Sequence, residues 1–222
     1  MQSLLQKTRL GARPTSSIRC SSSFASRSYP GLYFHPAPSP SSSSSSTPTY
    51  SLSFLPSPAP SLSFSPTTIG QLSNPKTPQN QEPEILPRYF QENPQFLDLV
   101  HEVLREEVAK DLWVQSLAKG ITSSSLEGGV DTFIHLADQR NPAEAQRTAQ
   151  PQDILASFLV RGSTGEIEPS SYERNKVAYR LVSELGLMRL PESLFERVRE
   201  ACEKVREVEE EVARERKEEE DK

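Results

Sequence analysis

Residues 191–222, with the sequence PESLFERVREACEKVREVEEEVARERKEEEDK, carry the pattern of one long helix. Apolar residues recur along it at alternating intervals of four and three, the spacing that lines the side of a helix facing another helix. Pro191 suits the start of a helix, because the first turn does not need its missing amide. The pattern falls short of the three to four heptads that indicate a free-standing coiled coil. The six positions, here called the six-residue stripe, are Leu194, Val198, Ala201, Val205, Val208 and Val212.

We expect the six-residue stripe to bind a partner protein. Nearly every residue after Val212 is charged, so the end of this helix is predicted to project into water. Residues 198–222 are therefore predicted to be a charged helix that continues from a core over residues 82–197. In the alternative, the stripe packs on its own domain and only the charged tip projects.

The core is predicted to be a small single α+β domain that begins with a helix or a helix pair. Asn93 and Pro94 favour a helix start, as the cap and the first helical residue. Charged residues at Glu107, Lys110 and Asp111 interrupt the apolar face that follows. This interruption favours two helices, over about 94–109 and 111–119, with Gly120 as the stop.

Two segments predict a short antiparallel sheet in the core. Residues 130–137 are rich in β-branched and aromatic side chains, and residues 154–160 are apolar on both alternating faces. The glycine turn over residues 162–165 favours a hairpin in which residues 166–169 return. Residues 170–185 fit both a strand and a helix, and an all-α fold is the alternative class.

The front of the chain differs sharply in charge from the rest. The first 81 residues contain no Asp or Glu, and all 30 acidic residues lie between Glu82 and Asp221. The front carries a charge of +6 and the remainder −11, which together give the overall −5. A basic front and an acidic body are different parts of the molecule.

Residues 1–28 are predicted to be a mitochondrial presequence. They are rich in Arg and Ser and free of acid, and they lack the apolar core of a secretory signal. Arg19–Cys20 and Arg27–Tyr29 are the two candidate cleavage signals. We expect the protein in the mitochondrial matrix, with a plastid as the alternative because serine richness suits a plastid transit peptide.

Residues 29–81 are predicted to be a disordered linker rich in Ser and Pro. Such a composition buries too little apolar surface to offset the entropy of ordering. Ser41–Ser46 are six consecutive serines. No apolar run approaches the roughly 20 residues that a membrane span needs, so no span is expected.

No motif indicates a catalytic, cofactor-binding or metal site, and none of these is expected. The glycines at 162 and 165 lack the Lys-Ser/Thr that completes a phosphate-binding loop. Asp131, His135 and Asp138 are close in sequence, but strand alternation separates Asp138 from the other two. Cys202 is flanked by Glu200 and Glu203, which disfavours a reactive thiolate. We interpret Cys202 as a packing residue.

The chain is therefore predicted to be a non-enzymatic mitochondrial protein that acts through protein contacts, as an assembly factor, accessory subunit or adaptor. The net charge of −11 over residues 82–222 disfavours direct binding of nucleic acid. One alternative is a peripheral protein of the mitochondrial ribosome. The other is an enzyme with a non-standard site, built from His135 with Asp131 or Asp138, and from His101.

Overall fold

The computed structural model describes residues 22–37, 49–60, 65–73, 82–124, 129–140 and 149–220. Within these residues, helices and antiparallel sheets share one hydrophobic cluster. The expectation of a mixed α+β fold is confirmed, and the all-α alternative is wrong. No helix in the described part of the chain has the length and apolarity needed to cross a membrane.

The first sheet has five strands, and each is hydrogen-bonded to its neighbour in the sequence in antiparallel order. Phe34, Leu52 and Leu72 are fully buried on one face of this sheet. The sheet therefore supplies a large part of the core. Its strands are β1 (Phe24–Ala25), β2 (Tyr33–Ala37), β3 (Thr49–Ser53), β4 (Thr68–Ser73) and β5 (Phe90–Glu92).

The prediction of a disordered linker over residues 29–81 is wrong for the described part of that segment. Strands β2, β3 and β4 lie within it and contribute buried side chains. The composition is misleading because small polar residues are themselves buried and hydrogen-bonded here. For example, the hydroxyl of Ser53 donates to the carbonyl oxygen of Thr67 over 2.9 Å. The serine run Ser41–Ser46 lies outside the described residues.

The boundaries at residues 28 and 82 also need correction. Residues 1–21 lie outside the described part, but β1 pairs with β2, and the ring of Phe24 stacks on Phe34 with centroids 5.1 Å apart. The carboxylate of Glu82 accepts hydrogen bonds from the amide of Arg27 and the hydroxyl of Ser28, both over 2.8 Å. Residues 22–28 therefore belong to the fold, and the core begins well before Glu82.

Two helices follow the first sheet, α1 (Pro94–Glu107) and α2 (Leu112–Ser124), as the interrupted apolar face predicts. The side chain of Asn93 caps α1 by accepting a hydrogen bond from the amide of Gln95 over 3.1 Å. Asp111 accepts from the amide of Val114 over 3.0 Å at the start of α2. The predicted stop at Gly120 is wrong, because α2 continues to Ser124. One glycine inside a helix costs only about 1 kcal/mol relative to alanine.

The second sheet contains β6 (Thr132–Ala137), β7 (Ile154–Val160) and β8 (Glu173–Arg174), with β7 in the centre. The two predicted strands are confirmed and pair with each other antiparallel. The predicted glycine turn is also present. Gly165 has a φ of 70°, and Val160 forms a bridge with Ile167 on the returning segment.

Residues 170–185, which fitted both a strand and a helix, form neither over their length. The segment begins in a 3-10 turn (Pro169–Ser171) and then contains β8 and β9 (Val182–Ser183), and β9 pairs with β10 (Gly186–Leu187). The Arg140 guanidinium donates hydrogen bonds to the carbonyl oxygens of Arg180 and Leu181. These two backbone acceptors are therefore bonded to a side chain and not to a helix or sheet partner. These contacts explain why local periodicity gave no single answer.

The chain's last described element is α3 (Glu192–Glu220), the long helix predicted from Pro191. At 1.5 Å per residue it is roughly 44 Å long. Its contacts with the core extend past the predicted boundary at residue 198, because the hydroxyl of Ser65 donates to the Glu209 carboxylate over 2.8 Å. The core and the charged helix therefore overlap in residues 198–209.

Candidate functional site

One face of α3 belongs to the protein's own core. Leu194, Val198 and Cys202 are fully buried, and Arg206 is 4% exposed. These residues are four apart, so they follow one side of the helix. Leu194 and Val198 were assigned to the partner-binding stripe, but a partner cannot reach them in this fold. The predicted stripe follows alternating intervals of four and three, so after Val198 it continues to Ala201 and Val205. The buried face continues instead at intervals of four, to Cys202 and Arg206, and the predicted stripe does not include these two residues.

The middle of the six-residue stripe lies in a groove between α3 and α1. Ala201 and Val205 are half-buried there, and the groove has a volume of about 360 Å³. Leu99 and Val103 of α1 form the opposite wall. Leu99 is not among the residues predicted to bind a partner. Its signal is its position four residues before Val103, on the same side of α1.

The two helices run antiparallel, which determines what lies at each end of the groove. The carboxylate of Glu107, at the end of α1, is 3.7 Å from Nε of Arg197 near the start of α3. At the other end, the Asn93 amide donates to the carbonyl oxygen of Ser65 over 2.8 Å, and Ser65 in turn contacts Glu209. The start of α1 therefore lies beside Glu209 of α3. The residues of α3 after Glu209 extend past the start of α1, up to Glu220.

The last two valines of the stripe are open to solvent. Val208 is 60% exposed and Val212 is 40% exposed. Burying a valine side chain fully contributes about 1.5–3 kcal/mol relative to leaving it in water. Burial of either valine side chain against a partner protein would therefore stabilise the complex. We call Val208 and Val212 the exposed stripe.

His101 is buried in a contact between α1 and the segment before β8. It is 2% exposed, and its Nδ1 shares a 2.8 Å hydrogen bond with the hydroxyl of Tyr172. Burial lowers the pKa of His101 to about 4, and the nearby Arg174 adds to the shift. Burial likewise raises the pKa of the Tyr172 phenol. Both groups are neutral at neutral pH, which suits a packing contact.

The residues of the enzyme alternative are held apart by other partners. His135 shares a 2.8 Å hydrogen bond with the hydroxyl of Ser157 on the outer face of the second sheet. Asp131 forms a 2.7 Å ion pair with Arg161. Asp138 is 1% exposed. Within the described ranges, no group of three His, Cys, Asp or Glu side chains is arranged to hold a metal ion.

Asp138 belongs instead to a buried cluster around Arg140. The Nε of Arg140 lies 3.2 Å from Asp153 and 3.5 Å from Asp138, and these side chains are at most 1% exposed. The hydroxyl of Tyr179 donates to Asp138 over 2.9 Å. Burial raises the pKa of Asp138, although the Arg140 guanidinium opposes that shift. Because Arg140 also binds backbone carbonyls of residues 180 and 181, the cluster fixes this loop to the second sheet.

The remaining features noted in the sequence have structural roles. Cys202 is fully buried in the hydrophobic cluster, as expected of a packing residue, and burial raises the pKa of its thiol to about 12. A Cβ on Gly162 would lie 2.2 Å from the carbonyl oxygen of Val130, so glycine is required there by a close backbone approach. Arg174 is paired with Asp98 on α1.

Within the described residues, the exposed stripe and the groove beside it are therefore a surface on which apolar side chains are accessible at the spacing of one helix face. Comparisons with protein-family models, curated proteins and solved structures find no significant match to this chain.

Proposed function

We propose that the protein is a non-enzymatic mitochondrial protein that binds another protein through the exposed stripe of α3. The observation that carries this proposal is the exposure of Val208 (60%) and Val212 (40%) on one side of a highly charged helix. An assembly factor, an accessory subunit or an adaptor of a larger complex would use such a helix to hold its partner. Apolar residues at this spacing are suited to a partner helix.

The charge around the stripe supports a protein partner over a nucleic acid. Residues 20–222 hold 21 basic and 30 acidic residues, a net charge of −9. Glu211 and Glu215 are exposed, and helical geometry places Glu215 on the same side of α3 as the two valines and Glu211 at its edge. Nucleic-acid binding depends on basic side chains that neutralise phosphates, and carboxylates at this density repel them.

The composition of the front supports mitochondrial import, with the matrix as the destination. Residues 1–19 contain four basic and no acidic residues. The hydrogen bonds that residues 26–28 donate to the Glu82 carboxylate favour cleavage near Arg19–Cys20 over cleavage at Arg27–Tyr29. The second cut would remove β1 and the groups that Glu82 binds.

The experiment is an affinity purification of the tagged full-length protein from isolated mitochondria, with quantitative mass spectrometry. The wild type is expected to recover a stoichiometric protein partner. The double substitution Val208→Asp/Val212→Asp is expected to lose it, because each aspartate places a charge where the partner buries an apolar group. Circular dichroism should show the same melting behaviour for both proteins.

A matched control changes the other side of the same helix. Arg214→Asp/Lys217→Asp also introduces two aspartates, at exposed positions that helical geometry places away from the stripe. This variant is expected to retain the partner. Equal recovery by wild type and Val208→Asp/Val212→Asp, or no stoichiometric partner at all, would contradict the proposed function.

A further inference from the structure

The groove between α1 and α3 has an apolar floor that continues into the exposed stripe. Leu99 and Val103 are half-buried and line the same space as Val205. Val208 lies three residues beyond Val205, on the same side of α3. An antiparallel helix pair with an apolar line along its outer groove has the geometry that accepts a third helix.

The α1 side of this groove is acidic. Glu102 and Glu106 line it one helical turn apart, and both are exposed. Neither carboxylate has a hydrogen bond or an ion pair within the described residues. Their neighbour Glu107 differs, since it forms a 2.9 Å ion pair with Lys110. Like charges four residues apart destabilise a helix. A cation bound between Glu102 and Glu106 would relieve that repulsion.

The α3 side of the groove adds further negative charge toward the tip. Glu211 and Glu215 are exposed, and helical geometry places them along one outer edge. Lys204 lines the groove on the same edge and is a single opposing positive charge. At the opposite end Arg197 donates to Glu200 over 3.0 Å, so its charge is already partnered. The unpartnered charge around the apolar floor is thus mainly negative.

We propose that this groove binds an amphipathic helix of the partner protein whose apolar face fills the floor and whose polar face carries Lys or Arg. This inference rests on the proposed function and specifies the chemistry of the partner. Basic side chains form ion pairs with Glu102 and Glu106, while apolar residues three and four apart cover Val205 and Val208. Because exposed ion pairs are screened by salt, binding weakens as ionic strength rises.

The test uses the full-length protein and a defined probe. The probe is a fluorescein-labelled amphipathic peptide of Leu and Lys, about five turns long by helical geometry, followed by fluorescence anisotropy. A second peptide of identical pattern has Glu in place of every Lys. The variants are Glu102→Lys/Glu106→Lys, the milder Glu102→Gln/Glu106→Gln, and the control Glu207→Lys/Glu210→Lys. The control changes the net charge equally, at exposed positions on α3 away from the groove.

The wild type is expected to bind the Leu/Lys peptide and not the Leu/Glu peptide. Reversal of charge at 102 and 106 should weaken binding of the Leu/Lys peptide by about tenfold or more, and the Gln variant should weaken it by a smaller factor, since a few ion pairs of this kind are lost. The control should change it by less than about twofold. Equal weakening by the control would show attraction to net charge alone and overturn the proposal, as would the absence of binding.

Two further outcomes separate this inference from the proposed function. Affinity purification could recover a partner that depends on the exposed stripe while peptide affinity is unchanged by the substitutions at Glu102 and Glu106. That result would support the proposed function and overturn the inference of a basic partner helix. If sedimentation shows a dimer that the Glu102→Lys/Glu106→Lys variant does not form, the groove belongs to a second copy of this chain, and the inference is again overturned.

Discussion

The guanidinium of Arg206 donates a hydrogen bond to the carbonyl oxygen of Ser57 over 2.9 Å. Arg206 lies on the last helix, whereas Ser57 follows β3 in a segment whose composition predicts a linker. The same guanidinium donates to the hydroxyl of Thr67 before β4. One buried cation therefore joins the C-terminal helix to two loops of the first sheet.

Substitution of Arg206 by leucine should destabilise the fold. The change removes the hydrogen bonds that Arg206 donates to the carbonyl oxygen of Ser57 and to the buried hydroxyl of Thr67. The Thr67 hydroxyl keeps its 2.7 Å contact with Ser65, so the expected cost is that of a hydrogen bond to a charged group, about 1.5–3 kcal/mol. Urea denaturation followed by circular dichroism should show a loss of unfolding free energy in this range. The control Arg216→Leu removes the same charge at an exposed position and should change stability by less than about 0.5 kcal/mol. Equal stability of the two variants would contradict the docking of Arg206.

The six-residue stripe should divide into two classes when each position is truncated. Leu194 is fully buried, so Leu194→Ala should lower the unfolding free energy by about 2–5 kcal/mol. Val208 is 60% exposed, so Val208→Ala should lie within about 0.5 kcal/mol of the wild type. Chemical denaturation of the isolated protein measures both. Similar losses at the two positions would mean that the first turn of α3 is not packed into the core.

Acidification should weaken the fold through His101. Its pKa is lowered from the usual 6.5 to about 4, so between these values the unfolded chain binds a proton that the folded chain does not. The stabilisation is therefore present above pH 6.5 and is lost as the pH falls toward 4. The loss amounts to roughly 2–3 kcal/mol.

The variant His101→Asn separates this effect from other titrations, because asparagine can keep a hydrogen bond to Tyr172 without gaining a proton. Unfolding free energies are compared between about pH 7 and about pH 4.5, inside the window set by the two pKa values. The wild type should lose more stability than the variant. Burial lowers the pKa of His35 in the same direction, and that contribution is common to both proteins. Parallel profiles would rule out His101 as the source.

Removal of residues 20–28 should weaken the first sheet. A chain that begins at Tyr29 lacks the stacking of Phe24 on Phe34 and the groups that bind Glu82. Compared with a chain that begins at Cys20, it should lose about 1–3 kcal/mol of stability, the range for burial of one large side chain. Thermal denaturation compares the two. Terminal-peptide mass spectrometry of the protein from mitochondria should then find a start before Ser22, and a start at Tyr29 would contradict the prediction.

The elements that were predicted correctly depend on short-range signals. Asn93 and Pro94 mark the start of α1 by local capping, and Pro191 marks the start of α3. The apolar residues of β7 need only be adjacent in sequence to indicate a buried strand. The accessible part of the candidate site, Val208 and Val212, was likewise visible from spacing within one helix.

The elements that were missed depend on pairing between distant residues. Strand β4, with the sequence TIGQLS, has few apolar residues and a glycine. A Cβ at Gly70 would lie 2.3 Å from the carbonyl oxygen of Gln91, a constraint set by β5 about twenty residues later. The groove likewise depends on residues far apart in the sequence, because Leu99 and Val205 line it together only after α1 and α3 have packed antiparallel. The periodicity of a single element predicts neither the close approach at Gly70 nor the groove.

The position of Arg206 has a consequence for the order in which the chain folds. Strands β1 to β5 pair only with sequence neighbours, so their contacts are local and form early. The core stays open, however, until Leu194, Val198 and Cys202 arrive on the final helix. During synthesis, which proceeds from the N-terminus, nearly the whole chain must emerge before the ring of Phe54 meets Phe195 of α3, with centroids 4.9 Å apart. We therefore expect part of the apolar core to stay accessible, and prone to aggregation, until α3 docks.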